Sequence, residues 1–446
     1  MMGWFGLAFC LVAAATIAIA YLRRRGDLIS TWHLFLVGSI NFVGIAAMQS
    51  ARDHYKLRNV ATHHDFTDTV YLKFTLGAIV FFVTAYLVYY SIRWPRRLAA
   101  NVFQNWPEIN TATITTIGVI CGIGAVCLAE IGRRDLSLIS EIAGNLAGPL
   151  GVATVVLAIC MWRTAPTNPI IIVASVFLIA LGMVVMLRGG IGRRILLSAL
   201  IGIGLVAYWT HLRYHGRVRV LVGMVVPLII AILTINAYQS FRHATADSEG
   251  SGFQRGFERL MMFGKALATP EDSKTDIGSD AVDISLLAID MYSVRRHYKQ
   301  KPFNTITWVI VNPIPRRFWL NKPKALGATM PEDTGQVGTG GYVNWGPGLV
   351  GHGFHEGGYF FIIFYAALFA AFFRCLDELL LRQPNNPYLL TVIAVISGQI
   401  IGLPRGDQAV FLVEIAGGLF VCLVLFRLYR LVTGRTVSYR AAPAAA

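Results

Sequence analysis

The chain has 446 residues, of which 55% are hydrophobic and only 14% charged, with a formal net charge of +15 and a mean hydropathy of +0.57. A soluble domain carries about 25% charged residues, so this balance excludes an ordinary soluble enzyme and puts lipid where polar surface is missing. What has to be settled first is how often the chain crosses the bilayer.

A span needs roughly 20 mostly apolar residues. In chain order, eleven runs bounded by charge, Pro or Gly meet that need: residues 3–21, 32–50, 70–92, 112–131, 139–162, 169–187, 195–212, 219–239, 358–374, 388–404 and 409–429. No ten-residue alternating strand pattern accompanies them, and lipid accepts no unpaired backbone, so the expected fold is an all-α polytopic membrane bundle of about eleven transmembrane helices. Ala18 and Ala20 offer the first run a small-residue cleavage site, yet Arg23, Arg24 and Arg25 follow it, whereas a signal peptide carries its charge in front. The reading is an uncleaved helix with its N-terminus outside. That orientation gives the cytoplasmic side sixteen Arg against nine Lys or Arg in the short external loops, in line with the positive-inside rule, and leaves the C-terminus cytoplasmic.

The net charge then reflects topology and contact with anionic membrane lipids. No basic module interleaved with aromatics stands apart from the spans, so no nucleic-acid partner is expected. Cys10, Cys121, Cys127, Cys160, Cys375 and Cys422 all lie in or at the edges of the apolar runs, and no disulfide framework is implied. The organisation reads as spans one to eight in residues 1–239, a large external cap in 240–357, spans nine to eleven in 358–430 and a tail in 431–446. Within the cap, 253–267 and 277–298 have helical spacing between Pro and Gly punctuation.

The run 312–323 of the cap combines Pro313, Pro315 and Pro323, which fix the backbone, with Arg316 and Arg317, whose planar forks suit phosphate, and Trp319, a face for a pyranose ring. It reads as an anion or sugar platform, or as an interfacial belt anchored in headgroups. The glycine-rich stretch 335–358 follows, with Tyr342, Asn344 and Trp345, then His352, His355 and Glu356. Its glycines permit close backbone approach to a ligand. His355 or Glu356 is a candidate general base, against ordinary loop contacts; the spacing is not that of a zinc peptidase, and neither a metal nor a cofactor is expected. Asp-x-Asp is absent, and His63, His64, Asp65 and Asp68 read as a solvated loop.

Three short external loops carry arginine against the usual bias: Arg133 and Arg134; Arg188, Arg193 and Arg194; and Arg405 with Asp407. Charge at membrane depth is costly and tends to mark a substrate path. Converging, these loops make a basic funnel suited to a diphosphate; separately, each arginine can snorkel to headgroups.

The chain resembles the Wzy-type oligosaccharide repeat-unit polymerases, the O-antigen and exopolysaccharide polymerases of the bacterial inner membrane, which are related to the O-antigen ligases. The resemblance rests on Gly192-Arg193-Arg194 opening a helix, Pro313-Ile314-Pro315-Arg316 with Trp319 and Lys322-Pro323, Tyr342-Val343-Asn344-Trp345-Gly346, and Arg405-Gly406-Asp407. These span residues 188–410. In that family a Glu commonly precedes the Tyr-x-Asn-x-Gly stretch; Gly340 and Gly341 stand there instead, and Glu356 either substitutes for it or is unrelated. The resemblance implies a GT-C-like fold and a metal-independent glycosyl transfer between undecaprenyl-diphosphate-linked oligosaccharides on the periplasmic face, with a polysaccharide chain-length regulator as a possible partner. Arg188, Arg193, Arg194 and Arg405 would stabilise the leaving diphosphate, His355 or Glu356 would take the acceptor proton, Arg316 and Arg317 would grip a second diphosphate, and Trp319, Tyr342, Asn344 and Trp345 would line the sugar groove. Two other classes stay open: a ligase moving the finished glycan to lipid A core, and a transporter of the lipid-linked unit. A transporter needs ionisable residues along its interior path, where this chain has only Lys73, Glu141 and Glu414.

Overall fold

The computed structural model describes residues 2–23, 26–53, 66–102, 111–132, 138–188, 193–225, 229, 258–265, 280–295, 297–314, 318–334 and 345–433. Among these no strand occurs, and nine helices are long and apolar enough to cross a membrane. A multi-pass helical membrane protein is therefore the architecture. The nine coincide with nine of the eleven expected runs. The tenth run, 388–404, forms the shorter helix Pro387–Gly402 of 16 residues. Of the eighth, residues 219–225 are helical while 226–228 and 230–239 lie outside the described residues.

The chain divides into two compact units, and each is described by itself. Unit 1 comprises Met1–Arg96, Asp276–Asp377 and Ile400–Val413, and unit 2 comprises Arg97–Thr275, Glu378–Gln399 and Glu414–Ala446. Residues 276–357 of the expected cap thus share a unit with the first three spans.

In unit 1, α1 is Met2–Leu22, α2 Thr31–Ser39, α3 Ala46–Asp53 and α4 Asp68–Ser91. A π-helical stretch, Ile40–Ile45, joins α2 to α3 without a break. At the start of α2, Ser30 accepts the His33 amide at 3.1 Å, while the buried Asp377 carboxylate takes the Thr31 N–H at 2.6 Å, the Thr31 hydroxyl at 2.9 Å, the Trp32 N–H at 3.2 Å and the Tyr89 hydroxyl at 2.7 Å. The free amides of a first helical turn and its dipole both favour an anion there. At the heart of this unit lies α5, Asp280–Ile289, which runs on into a π-helical stretch, Asp290–Val294. Residues 281–292 are all buried, as expected of a helix apolar on nearly every side. Here α5 packs against α3, α4 and α8, the helix Gly348–Glu356. Between α5 and α8 come α6, Asn304–Val311, and α7, Leu326–Asp333; after them comes α9, Tyr359–Arg382. Of two later helices, α10, Pro387–Gly402, and α11, Gln408–Thr433, only residues 400–402 and 408–413 belong to this unit, the rest to unit 2.

In unit 2 the central helix is Leu138–Thr164, which packs against Thr111–Ile131, Pro169–Arg188 and Arg193–Thr210. Its membrane-length window is 72% buried, against 22% for α1 of unit 1, so protein rather than lipid surrounds it. Pro149 sits within it without ending it, although its ring removes one helical donor.

Candidate functional site

Helix α8 carries the later part of the glycine-rich stretch. Gly348 has φ +64, a conformation open to glycine, and a Cβ there would lie 2.9 Å from both the Pro404 carbonyl and Ser285 Oγ. Two residues earlier, a Cβ at Gly346 would overlap the Arg405 carbonyl oxygen. The Gly348 N–H donates to the Gly406 carbonyl at 3.2 Å, and the Trp345 N–H to the Gly327 carbonyl at 2.8 Å. Two motifs about 60 residues apart in sequence, Trp345-Gly346 and Arg405-Gly406-Asp407, therefore lie backbone against backbone.

Asp407 secures that junction. One carboxylate oxygen accepts the Gly327 N–H at 2.7 Å in the first turn of α7; the other accepts the Ala409 N–H at 3.0 Å in the first turn of α11. A single side chain caps two helices, each cap satisfying otherwise unpaired amides. His352, fully buried, reaches the same corner. Its Nε2 accepts the Gln408 N–H at 3.1 Å and lies 3.3 Å from Asp407, and its Nδ1 is 3.1 Å from Thr305 Oγ1. Because Nε2 accepts a backbone N–H, the ring hydrogen sits on Nδ1 and is given to Thr305. Both nitrogens are committed to holding helices.

The same holds for Glu356, also fully buried. One oxygen accepts the Thr305 N–H at 2.8 Å in the first turn of α6, and the other the Tyr365 hydroxyl at 2.7 Å. The helix then ends at Gly357 and Gly358, whose N–H groups both return to the Gly353 carbonyl.

His355 is different. It is 1% exposed, yet neither ring nitrogen has a hydrogen-bond partner among the described residues. A buried polar atom left unpaired costs about 1–3 kcal/mol, so such an atom calls for an explanation. Burial first, then His352 and Lys301, push its pKa down to about 3, so the imidazole is neutral at physiological pH. Its ring stands edge-on to Tyr292 at 4.7 Å. Burial and the neighbouring Asp333 push the Tyr292 phenol up, and its hydroxyl donates to Asp333 at 2.9 Å. Tyr292 belongs to the π-helical stretch 290–294, and the other π-helical stretch supplies Phe42, over whose ring the half-buried Arg405 guanidinium sits at 5.7 Å. Extra residues in a helix often accompany functional positions; here each brings an aromatic ring to a candidate site residue.

In unit 2, Arg194 lies in the first turn of its helix and donates to Gln399 Oε1 at 3.1 Å, with Glu414 Oε2 at 3.2 Å from the same nitrogen. Arg188 ends one helix and Arg193 begins the next; nothing is described of their side chains. Arg133, Arg134, Arg316, Arg317, Tyr342 and Asn344 lie outside the described residues. Trp319 is 39% exposed between the more exposed Phe318 and Leu320, on a loop fastened by the Lys322 ammonium to the Asn312 and Ile314 carbonyls at 2.7 and 2.9 Å. Among the described residues, no cluster of His, Cys, Asp or Glu is arranged to hold a metal ion.

Sequence reasoning missed Thr305, Tyr365, Gln408 and Tyr292. Of these only Thr305 carried a signal, an Asn-Thr pair at the start of an apolar run; the others belong to apolar stretches and are recognised by their contacts alone. Compared with known protein families, curated proteins and solved structures, the chain has no match in any of the three.

Proposed function

We propose that this chain is a Wzy-type glycosyltransferase, GT-C-like in fold, that joins undecaprenyl-diphosphate-linked oligosaccharides on the periplasmic face of the bacterial inner membrane. The observation that carries the reading is His355: a buried, neutral imidazole with both nitrogens uncommitted, on the helix that packs against the Arg405-Gly406-Asp407 turn. In this scheme the sugar–diphosphate bond breaks and a bond to the acceptor hydroxyl forms. The hydroxyl proton passes to His355, whose affinity for it rises as the diphosphate brings negative charge into a desolvated site. Arg405 of unit 1 and Arg193 and Arg194 of unit 2 are each assigned to a lipid diphosphate, where a guanidinium offers paired donors.

Glu356 and His352 receive a different assignment from His355. Their polar atoms already hold α6, α11 and Thr305, so both position the site and His355 acts as the base. Trp319 and Trp345 are assigned to the glycan.

The deciding experiment is the glycan profile of a deletion strain complemented with His355→Gln. Loss of the polymer ladder, with single repeat units still reaching the outside, is the expected result. Full-length polymer left on its diphosphate carrier would instead identify a ligase, and repeat units trapped on the cytoplasmic face a transporter.

A further inference from the structure

A residue that the proposed reaction leaves unused is Glu414, an acidic side chain in the second turn of the apolar helix α11. Three helices of unit 2 bring it to Arg194. A Cβ at Gly398 would overlap the Arg194 carbonyl oxygen, and the Gly398 N–H donates to Ser198 Oγ at 2.9 Å, so α10 meets the first turn of Arg193–Thr210 backbone to backbone. Gly418 of α11 brings a third backbone close to α10, where a Cβ would lie 2.8 Å from the Val395 side chain. Small residues permit such approach between membrane helices.

The contact that results is uneven. One Arg194 Nη1 hydrogen is directed at Gln399 Oε1, whereas Glu414 Oε2, 3.2 Å from the same nitrogen, is buried and accepts no hydrogen bond among the described residues. Charge holds that oxygen there without a directed bond. An ion pair of this kind is the easier one to exchange, because a phosphate oxygen that replaces the carboxylate gains the directed hydrogen bond that Glu414 lacks.

We infer that Glu414 is a resident counter-anion that makes Arg194 selective for doubly charged lipid diphosphates over the singly charged phosphodiester headgroups of bulk lipid. The inference rests on the proposed function for its substrate class. A guanidinium beside a carboxylate is nearly neutral at a distance, so one phosphodiester charge is attracted by Arg194 and repelled by Glu414 in similar measure. A diphosphate diester brings two charges and enough acceptors to engage Arg194 and Gln399 together. Bulk anionic lipid greatly outnumbers any lipid-linked intermediate, and an unguarded outer arginine would be occupied by it.

The test is direct binding, which needs no turnover. Full-length protein in phosphatidylcholine nanodiscs is titrated with a polyprenyl diphosphate, with and without phosphatidylglycerol as competitor, for wild type, Glu414→Gln and Arg194→Gln. Glu414→Gln is expected to bind the diphosphate at least as well as wild type and to be inhibited by about tenfold less phosphatidylglycerol, the equivalent of one weak ion pair. Gln399→Glu, which adds a second anion at the same guanidinium, is expected to weaken diphosphate binding. Unchanged competition in Glu414→Gln, with wild type binding the diphosphate through Arg194, overturns the counter-anion role and leaves the proposed function standing. Wild type that binds no diphosphate overturns both.

Discussion

In unit 1 the buried carboxylates of Asp377, Glu356 and Asp407 each rest on the first turn of a helix, whereas in unit 2 the Glu414 carboxylate faces a guanidinium. The backbone amides of a helix are fixed, so an anion seated on them is locked and holds the fold. A guanidinium on a flexible stem can turn to another anion, so its partner can be exchanged. The acidic residues therefore divide by the donor they meet as well as by burial: those on backbone are buried and architectural, and the one on Arg194, about one-third exposed, is available to respond to a ligand.

The largest effect expected from that division is at Asp407. Asp407→Ala removes the caps of two helices and exposes the His352 corner; a loss of about 3 kcal/mol follows from two charged hydrogen bonds. Thermal unfolding in detergent micelles measures it, and a stability equal to that of Glu414→Ala would break the contrast. Next comes Tyr365→Phe, which strips one of the two donors from buried Glu356 and is expected to cost about 2 kcal/mol. If the Glu356 oxygen is instead solvated by water, the melting temperature will stay put.

His355 sharpens the comparison from the other side, because its unpaired imidazole resists protonation in the native state. The folded pKa is about 3 and the ordinary value 6.5. Between these values the unfolded chain binds a proton that the native chain does not, so the contribution to stability is complete above pH 6.5 and is lost as the pH falls toward 3. The slope is up to about 1.4 kcal/mol per pH unit. The His355→Gln protein should lose less stability on acidification than wild type; parallel pH profiles would place an acceptor or water on the imidazole. Smallest of all is Glu414→Ala, under about 1 kcal/mol, since the pair is about one-third exposed and lacks a directed bond.

Hydropathy made the spans legible in the sequence, because burial in lipid is a property of each run by itself. It misjudged the reach of 388–404, whose helix stops at Gly402, with Pro404 next in the turn that precedes Asp407. The candidate site was legible only in part. Arg405-Gly406-Asp407 stood out as charge beside lipid, but nothing in the spacing said that Asp407 would cap α7, a helix 80 residues earlier. Glu356 read as a candidate base on a glycine-rich stretch; its environment is set by Thr305, whose only signal is a helix start, and by Tyr365, which carries no pattern that sequence can flag. The π-helical stretches are equally silent, since Ile40–Ile45 reads as ordinary apolar helix.

That stretch controls helical phase. Residues before and after Ile40–Ile45 are offset by an extra residue relative to a plain α-helix, and one residue corresponds to about 100° of rotation. Winding the same residues as plain α-helix would swing Thr31 and Trp32 about a quarter turn relative to α3, whereas deleting one apolar residue there, a change invisible to hydropathy, would regularise the helix and keep their phase. In the rewound helix Asp377 would face side chains in place of the amides it now holds. The length of this span is thus counted by the rotational register of its two ends, a stricter requirement than the thickness of the bilayer.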